Sequence, residues 1–120
     1  MLLKRQEFDR ASAHVEVTGH TIRFRGVIGD PDTSPWLSEL LSEVHKDALS
    51  SKIPEVVLDI RQLRYANAAW SRALLFWLRR VRETQGSAYS IRLLCDPIIR
   101  WQKYSVPPLQ SFGADRLVIR

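Results

Sequence analysis

Three histidines and one cysteine are the side chains of this 120-residue chain best suited to bind metal or move protons near neutral pH. His14 and His20 fall in an alternating, strand-like stretch, and His45 on the outer side of a helical one. None stands at metal-ligand spacing from another histidine or from Cys95, so no metal site is expected. Cys95 closes an apolar strand and reads as an inert, apolar side chain. A single cysteine also excludes a disulfide framework within the chain. The five glycines, at 19, 26, 29, 86 and 113, are too scattered to form a phosphate-binding loop. No nucleophile, base and orienting group fall together, and so short a chain has little core in which to converge them. Neither an enzyme nor a cofactor is expected.

Charge is the next chemical signal. Eighteen Lys and Arg against thirteen Asp and Glu give a net charge of +5. Arg72, Arg79, Arg80 and Arg82 lie in one helical stretch, with Arg100 and Lys103 further on, and clustered cations can steer a polyanion. The aromatic residues beside them, however, fall in a helical core pattern and not on a strand platform, and no nucleic-acid motif is present. A solvated face or an acidic protein partner accounts for the same charge, so nucleic acid is not expected.

The elements that must position these groups follow from periodicity. Residues 1–11 are charged and aperiodic, and read as a loose arm or an extended lead-in ahead of a domain over 12–120. From Ala13, apolar and polar residues alternate through Val15 and Val17. After a turn at Gly19 they alternate again through Ile22 and Phe24, which predicts an antiparallel hairpin. Ser34-Pro35 has the order of a helix start. Leu37, Leu40, Leu41, Val44 and Ala48 then form one apolar stripe. Pro54 ends that segment, and residues 55–60 read as a strand buried on both faces. A loop over 61–66 leads to a second helix, with Trp70, Ala73, Leu74, Trp77, Leu78 and Val81 on its stripe, closed by Gln85-Gly86-Ser87. Leu75 and Phe76 fall outside the narrow stripe and either widen the core face or project an apolar patch. A strand over 89–95, a short helix from Asp96-Pro97 broken or restarted at Pro107-Pro108, and a strand over 116–120 complete the order β-β-α-β-α-β-α-β. That is an α/β fold with a mixed central sheet. The longest apolar run, 73–78, is far too short for a membrane span. With no signal-like N-terminus and no cysteine pairs, a cytoplasmic location is expected.

The string Val56-Val57-Leu58-Asp59-Ile60, followed by Leu63-Arg64-Tyr65-Ala66-Asn67-Ala68-Ala69-Trp70-Ser71, resembles the STAS domain family of anti-sigma-factor antagonists and related bacterial regulators. Trp101-Gln102, with Leu109-Gln110 beyond it, is similar to a pair found in one STAS-like regulator group. The resemblance implies a non-enzymatic signalling protein whose loop and helix start dock a partner, a kinase-like anti-sigma factor or a phosphatase. In such relatives the second of two hydroxyl residues at the helix start is phosphorylated. Ala69 occupies that place here, and Trp70 stands where the family has glycine. A phosphate would add nearly two negative charges to a docking surface; alanine cannot carry one, so phosphorylation-independent binding is expected. Ser71 lies two residues on, about 200° around the helix from Ala69, and is a poor substitute.

The resemblance places partner contacts on Arg61, Arg64, Tyr65, Asn67, Ala68, Ala69, Trp70, Ser71 and Arg72. For three of the residues in this region a purely structural role competes: Asn67 as a helix cap, Asp59 as a brace for the following loop, and Trp70 as core. The resemblance admits other roles as well, an accessory subunit of a transporter or enzyme complex, or a module binding a small ligand.

Overall fold

The computed structural model describes residues 2–84, 89–113 and 117–119, without the side chain of Ile119. Its elements are β1 (Gln6–Arg10), β2 (Ala13–Thr18), β3 (Thr21–Ile28), α1 (Thr33–Ser50), β4 (Glu55–Ala66), α2 (Ala68–Glu83), β5 (Ser90–Leu94), α3 (Arg100–Gly113) and β6 (Leu117–Ile119). Six strands form one sheet in the order β1-β2-β3-β4-β5-β6. The first three are antiparallel and the last four mutually parallel. The three helical crossovers step the same way across the sheet, so right-handed connections place all three helices on one face. The side chains on that face are the buried ones: Val15, Val17, Ile22, Phe24, Val56, Leu58, Ile60, Ile91 and Leu93. The opposite face carries His14, Glu16, Arg23, Arg25, Asp59, Arg61 and Arg92 and has no helix over it.

The segment read as an arm contains β1, which pairs with β2 from Gln6↔Val17 to Arg10↔Ala13. Its charges hid the alternation: Phe8 packs edge-on against Trp36 with centroids 6.0 Å apart, and Leu3 is buried. Gly26 is required where the β1–β2 turn crosses β3. Its φ is +90°, and a Cβ there would collide with the Ser12 carbonyl oxygen.

Residues 61–66 are strand and not loop. β4 carries two register shifts against β3, where Arg23↔Asp59 is followed by Arg25↔Gln62, and Gly26↔Leu63 by Val27↔Tyr65. Each is a bulge that inserts a residue. The period changes from two to three, so the exposed pairs Arg61-Gln62 and Arg64-Tyr65 alternate with buried Leu63 and Ala66. α3 likewise runs through Pro107 and Pro108 without breaking. The bonds lost there involve the carbonyls of Lys103 and Tyr104, on exposed residues where water replaces them. The expected terminator Gln85-Gly86-Ser87 falls outside the described residues apart from the helix end itself at Glu83, as do Arg116 and Arg120 of the last strand.

His45 is buried, not exposed. The Trp77 indole N–H donates to the Tyr89 hydroxyl at 2.7 Å, and Tyr89 donates in turn to His45 Nδ1 at 2.8 Å. The Thr84 hydroxyl donates to the Arg80 carbonyl at 2.6 Å, so its oxygen is left to accept from His45 Nε2–H at 3.4 Å, consistent with a neutral ring whose Nδ1 accepts from Tyr89. Burial, helped by the Arg80 charge, holds His45 below its ordinary pKa, while burial raises that of Tyr89. His14 is the opposite case, lying between Asp9 at 2.7 Å and Glu7 at 2.9 Å. The hydrogen bond to Asp9 is the main cause of its raised pKa.

The two histidines bound a pH window. The contribution of His14 is complete below the ordinary histidine pKa of 6.5 and is lost as pH rises through its elevated one. That of His45 is complete above 6.5 and is lost as pH falls through its depressed one. Urea midpoints are therefore expected to peak near pH 6.5, and His14→Asn to flatten the alkaline limb alone.

Candidate functional site

The second half of β4 and the start of α2 form the region that the sequence singled out. β5 pairs with β4 only from Glu55↔Ser90 to Asp59↔Leu94, so from Ile60 onward that edge of β4 has no strand beside it. Side chains of α3 take the place of one. Gln102 Nε2 donates to the carbonyls of Ile60 at 2.7 Å and Leu63 at 3.0 Å, and Trp101 Nε1 donates to Leu63 at 2.8 Å. Gln102 Oε1 accepts the Asp96 backbone N–H at 2.8 Å, which ties down the β5–α3 turn. Gln102 is 1% exposed, so the two bonds it donates lie out of water. The pair quoted for its family resemblance thus works as a clamp on the bulged strand.

Asn67 caps α2, its Oδ1 accepting the Trp70 N–H at 3.1 Å. Its Nδ2 reaches back to the Asp30 carbonyl at 3.2 Å and to Thr33 Oγ1 at 3.3 Å. Thr33 Oγ1 contacts the Asp30 carbonyl at 2.8 Å, and Asp30 Oδ2 accepts the Trp36 indole N–H at 3.2 Å. This network starts α1 in place of a Ser34 cap: the helix begins at Thr33, with Pro35 inside its first turn. Sequence reasoning missed Asp30 and Thr33. The signal available was an Asp-x-x-Thr spacing just before an apolar stripe.

Asp59 is 3% exposed and braces the bulge. Oδ1 accepts the backbone N–H of Arg61 at 3.1 Å and its Nε at 3.0 Å; Oδ2 accepts Arg61 Nη2 at 2.9 Å and Arg23 Nε at 3.2 Å. Burial alone would raise its pKa, but the donors from Arg61 and Arg23 outweigh it and hold the carboxyl below the ordinary range.

These contacts divide the nine candidate residues. Arg61 turns onto the uncovered sheet face toward Asp59. Trp70 is fully buried, edge-on to Phe24 at 6.1 Å and to Trp101 at 5.2 Å, and presents no surface to a partner. Asn67 is occupied as a cap. Arg64, Tyr65, Ala68 and Arg72 are exposed, and Ala69 and Ser71 half-buried, around the first turn of α2. Trp77 is core, whereas Phe76 is 64% exposed on the outer side of α2. Among the described residues no group of three or more His, Cys, Asp or Glu could hold a metal, and no helix is long and apolar enough to cross a membrane. Burial raises the pKa of Cys95, which disfavours its thiolate.

The chain is similar in fold to the crystal structure of an anti-sigma factor antagonist from Mycobacterium paratuberculosis. The TM-score is 0.56 at 14% sequence identity, over 96% of this chain and 84% of that one. No family model and no curated protein matches its sequence. The likeness is one of architecture: the chain has a STAS-like α/β fold, similar to that antagonist's.

Gln102→Leu removes the Nε2 donor of two buried carbonyls and the acceptor of one N–H. It is expected to destabilise the chain by about 2–4 kcal/mol in urea unfolding. Asn67→Ala should cost about 1–2 kcal/mol, whereas Arg72→Ala on the exposed face should leave the midpoint nearly unchanged.

Proposed function

We propose that the chain is a non-enzymatic signalling regulator. It binds a protein partner, a kinase-like anti-sigma factor or a phosphatase, through the end of β4 and the first turn of α2. The observation that carries this reading is the composition of that turn. Arg64, Tyr65, Ala68 and Arg72 are exposed around a rigid, capped helix start, and Ala69 stands where the resemblance places a phosphorylated hydroxyl. Tyr65 is 48% exposed and offers a large amphipathic anchor, of a kind enriched at binding hot spots. Arg64 and Arg72 have no carboxylate partner among the described residues, which suits an acidic surface. With a methyl group at 69 the surface stays in its unmodified state, so release is governed by partner concentration and not by covalent modification. The architecture shared with an anti-sigma factor antagonist supports a role of this class.

Binding to a co-encoded kinase or phosphatase, followed by calorimetry, tests the proposal. Arg64→Ala combined with Tyr65→Ala should weaken binding by tenfold or more, roughly the loss of one hot-spot residue, with an unchanged urea midpoint. Incubation with the kinase and ATP should leave the intact mass unchanged. A phosphate on Ser71 accompanied by loss of binding would overturn the reading.

A further inference from the structure

The uncovered face of the sheet holds a group of side chains that the partner-docking surface does not use. Where β4 bulges opposite β3, a surface depression of about 510 Å³ is lined by Arg23, Arg25, Asp59, Arg61 and Gln62. The bulge creates it: the extra residue between Asp59 and Gln62 turns both Arg61 and Gln62 outward beside Arg25. Three guanidinium groups line one concavity whose only carboxylate is Asp59, and that carboxylate already accepts four hydrogen bonds.

The donors left over are what make this a binding surface. Arg61 spends Nε and Nη2 on Asp59, and Arg23 spends Nε on Asp59 and Nη1 on Glu16 at 3.2 Å. Each is thereby held in place, leaving Nη1 of Arg61 and Nη2 of Arg23 with no protein acceptor among the described residues. Arg25 is exposed and has no hydrogen bond or ion pair there at all; its neighbour across the strand pair is His14. His14 in turn is engaged by Glu7 and Asp9, and neither carboxylate forms an ion pair with Arg25. Counting Glu16, three positive charges face two negative ones. Guanidinium forks are matched in geometry to phosphate oxygens, and forks already oriented by a buried carboxylate lose less freedom on binding.

We propose that this depression binds a phosphate chain, with Arg25 as the free fork and Arg23 and Arg61 as pre-positioned flanking donors. The phosphate could be presented by a nucleotide or by inorganic pyrophosphate, and the group recognised is the same. The depression shares no lining residue with the exposed set Arg64, Tyr65, Ala68 and Arg72 around the α2 start.

Calorimetric and amide-NMR titrations of the full chain at physiological ionic strength, with pyrophosphate and separately with ATP, both in chelator, test it. Saturable binding that shifts the amides of residues 23–25 and 59–63 is expected. Arg25→Ala should weaken it about tenfold with an unchanged unfolding midpoint, since that side chain has no partner to lose. Arg25→Lys should restore only part of it, and Arg79→Ala, on α2, should leave it within twofold. Equal affinity for the two probes means that the phosphates alone are read; tighter ATP binding means that the third phosphate or the nucleoside contributes, and ADP, matched to pyrophosphate in phosphate number, separates the two. The proposal is overturned if neither probe saturates, if Arg25→Ala binds like the parent, or if Arg79→Ala weakens binding equally, which would mark a general charge effect.

Discussion

Hydrogen bonds from two α3 side chains to the unpaired edge of β4 hold the end of that strand and the start of α2 in shape. β4 has twelve residues and β5 five, so the longer strand must run past its neighbour with carbonyls facing no ladder. A buried carbonyl without a donor costs about 1–3 kcal/mol. Gln102 and Trp101 supply the donors, and the same glutamine secures the turn that precedes it. This lets the strand bulge twice without fraying. The bulges set the direction of every exposed side chain between Arg61 and Tyr65, and the strand delivers Asn67 to the point where it caps α2 and grips the start of α1. Core, cap and both candidate surfaces thus share one support.

The two surfaces differ in chemistry. Around the start of α2, the small residues Ala68 and Ala69 adjoin Arg64 and Tyr65 at the end of β4, and Arg64 and Arg72 have no carboxylate partner among the described residues. On the open side, charges interdigitate from β1 to β4 and bury one aspartate beneath two arginines. Arg61 belongs to the second surface because the bulge and the Asp59 fork hold its guanidinium beside Asp59.

Much of this was legible in the sequence. The hairpin, the two long helices and the strand at Val56 announce themselves through undisturbed periods of 2 and 3.6, and the resemblance around Asp59 to Ser71 led to the right architecture. Asn67 was readable as a cap because its type and position before an apolar stripe admit that role. What escaped has identifiable physical causes. Bulges replaced a period of two with three and made residues 61–66 look like a loop. Charged residues on the solvent side of an edge strand disguised β1. His45 looked exposed on its helix, because nothing local reveals that Tyr89, 44 residues away, supplies its partner. The prolines of α3 suggested a break that exposed carbonyls made unnecessary. Trp101 and Gln102 stand out as a pattern, but their task depends on the length difference between two strands, which no local window reports.

The spatial order of the strands repeats their order along the chain. Each strand that leaves the ribosome therefore finds its hydrogen-bonding neighbour already made, at the growing rim of the sheet. No later segment has to wedge between two earlier ones. Assembly can follow synthesis, with the antiparallel β1–β3 meander as a template and each helix arriving just ahead of the parallel strand it helps to dock.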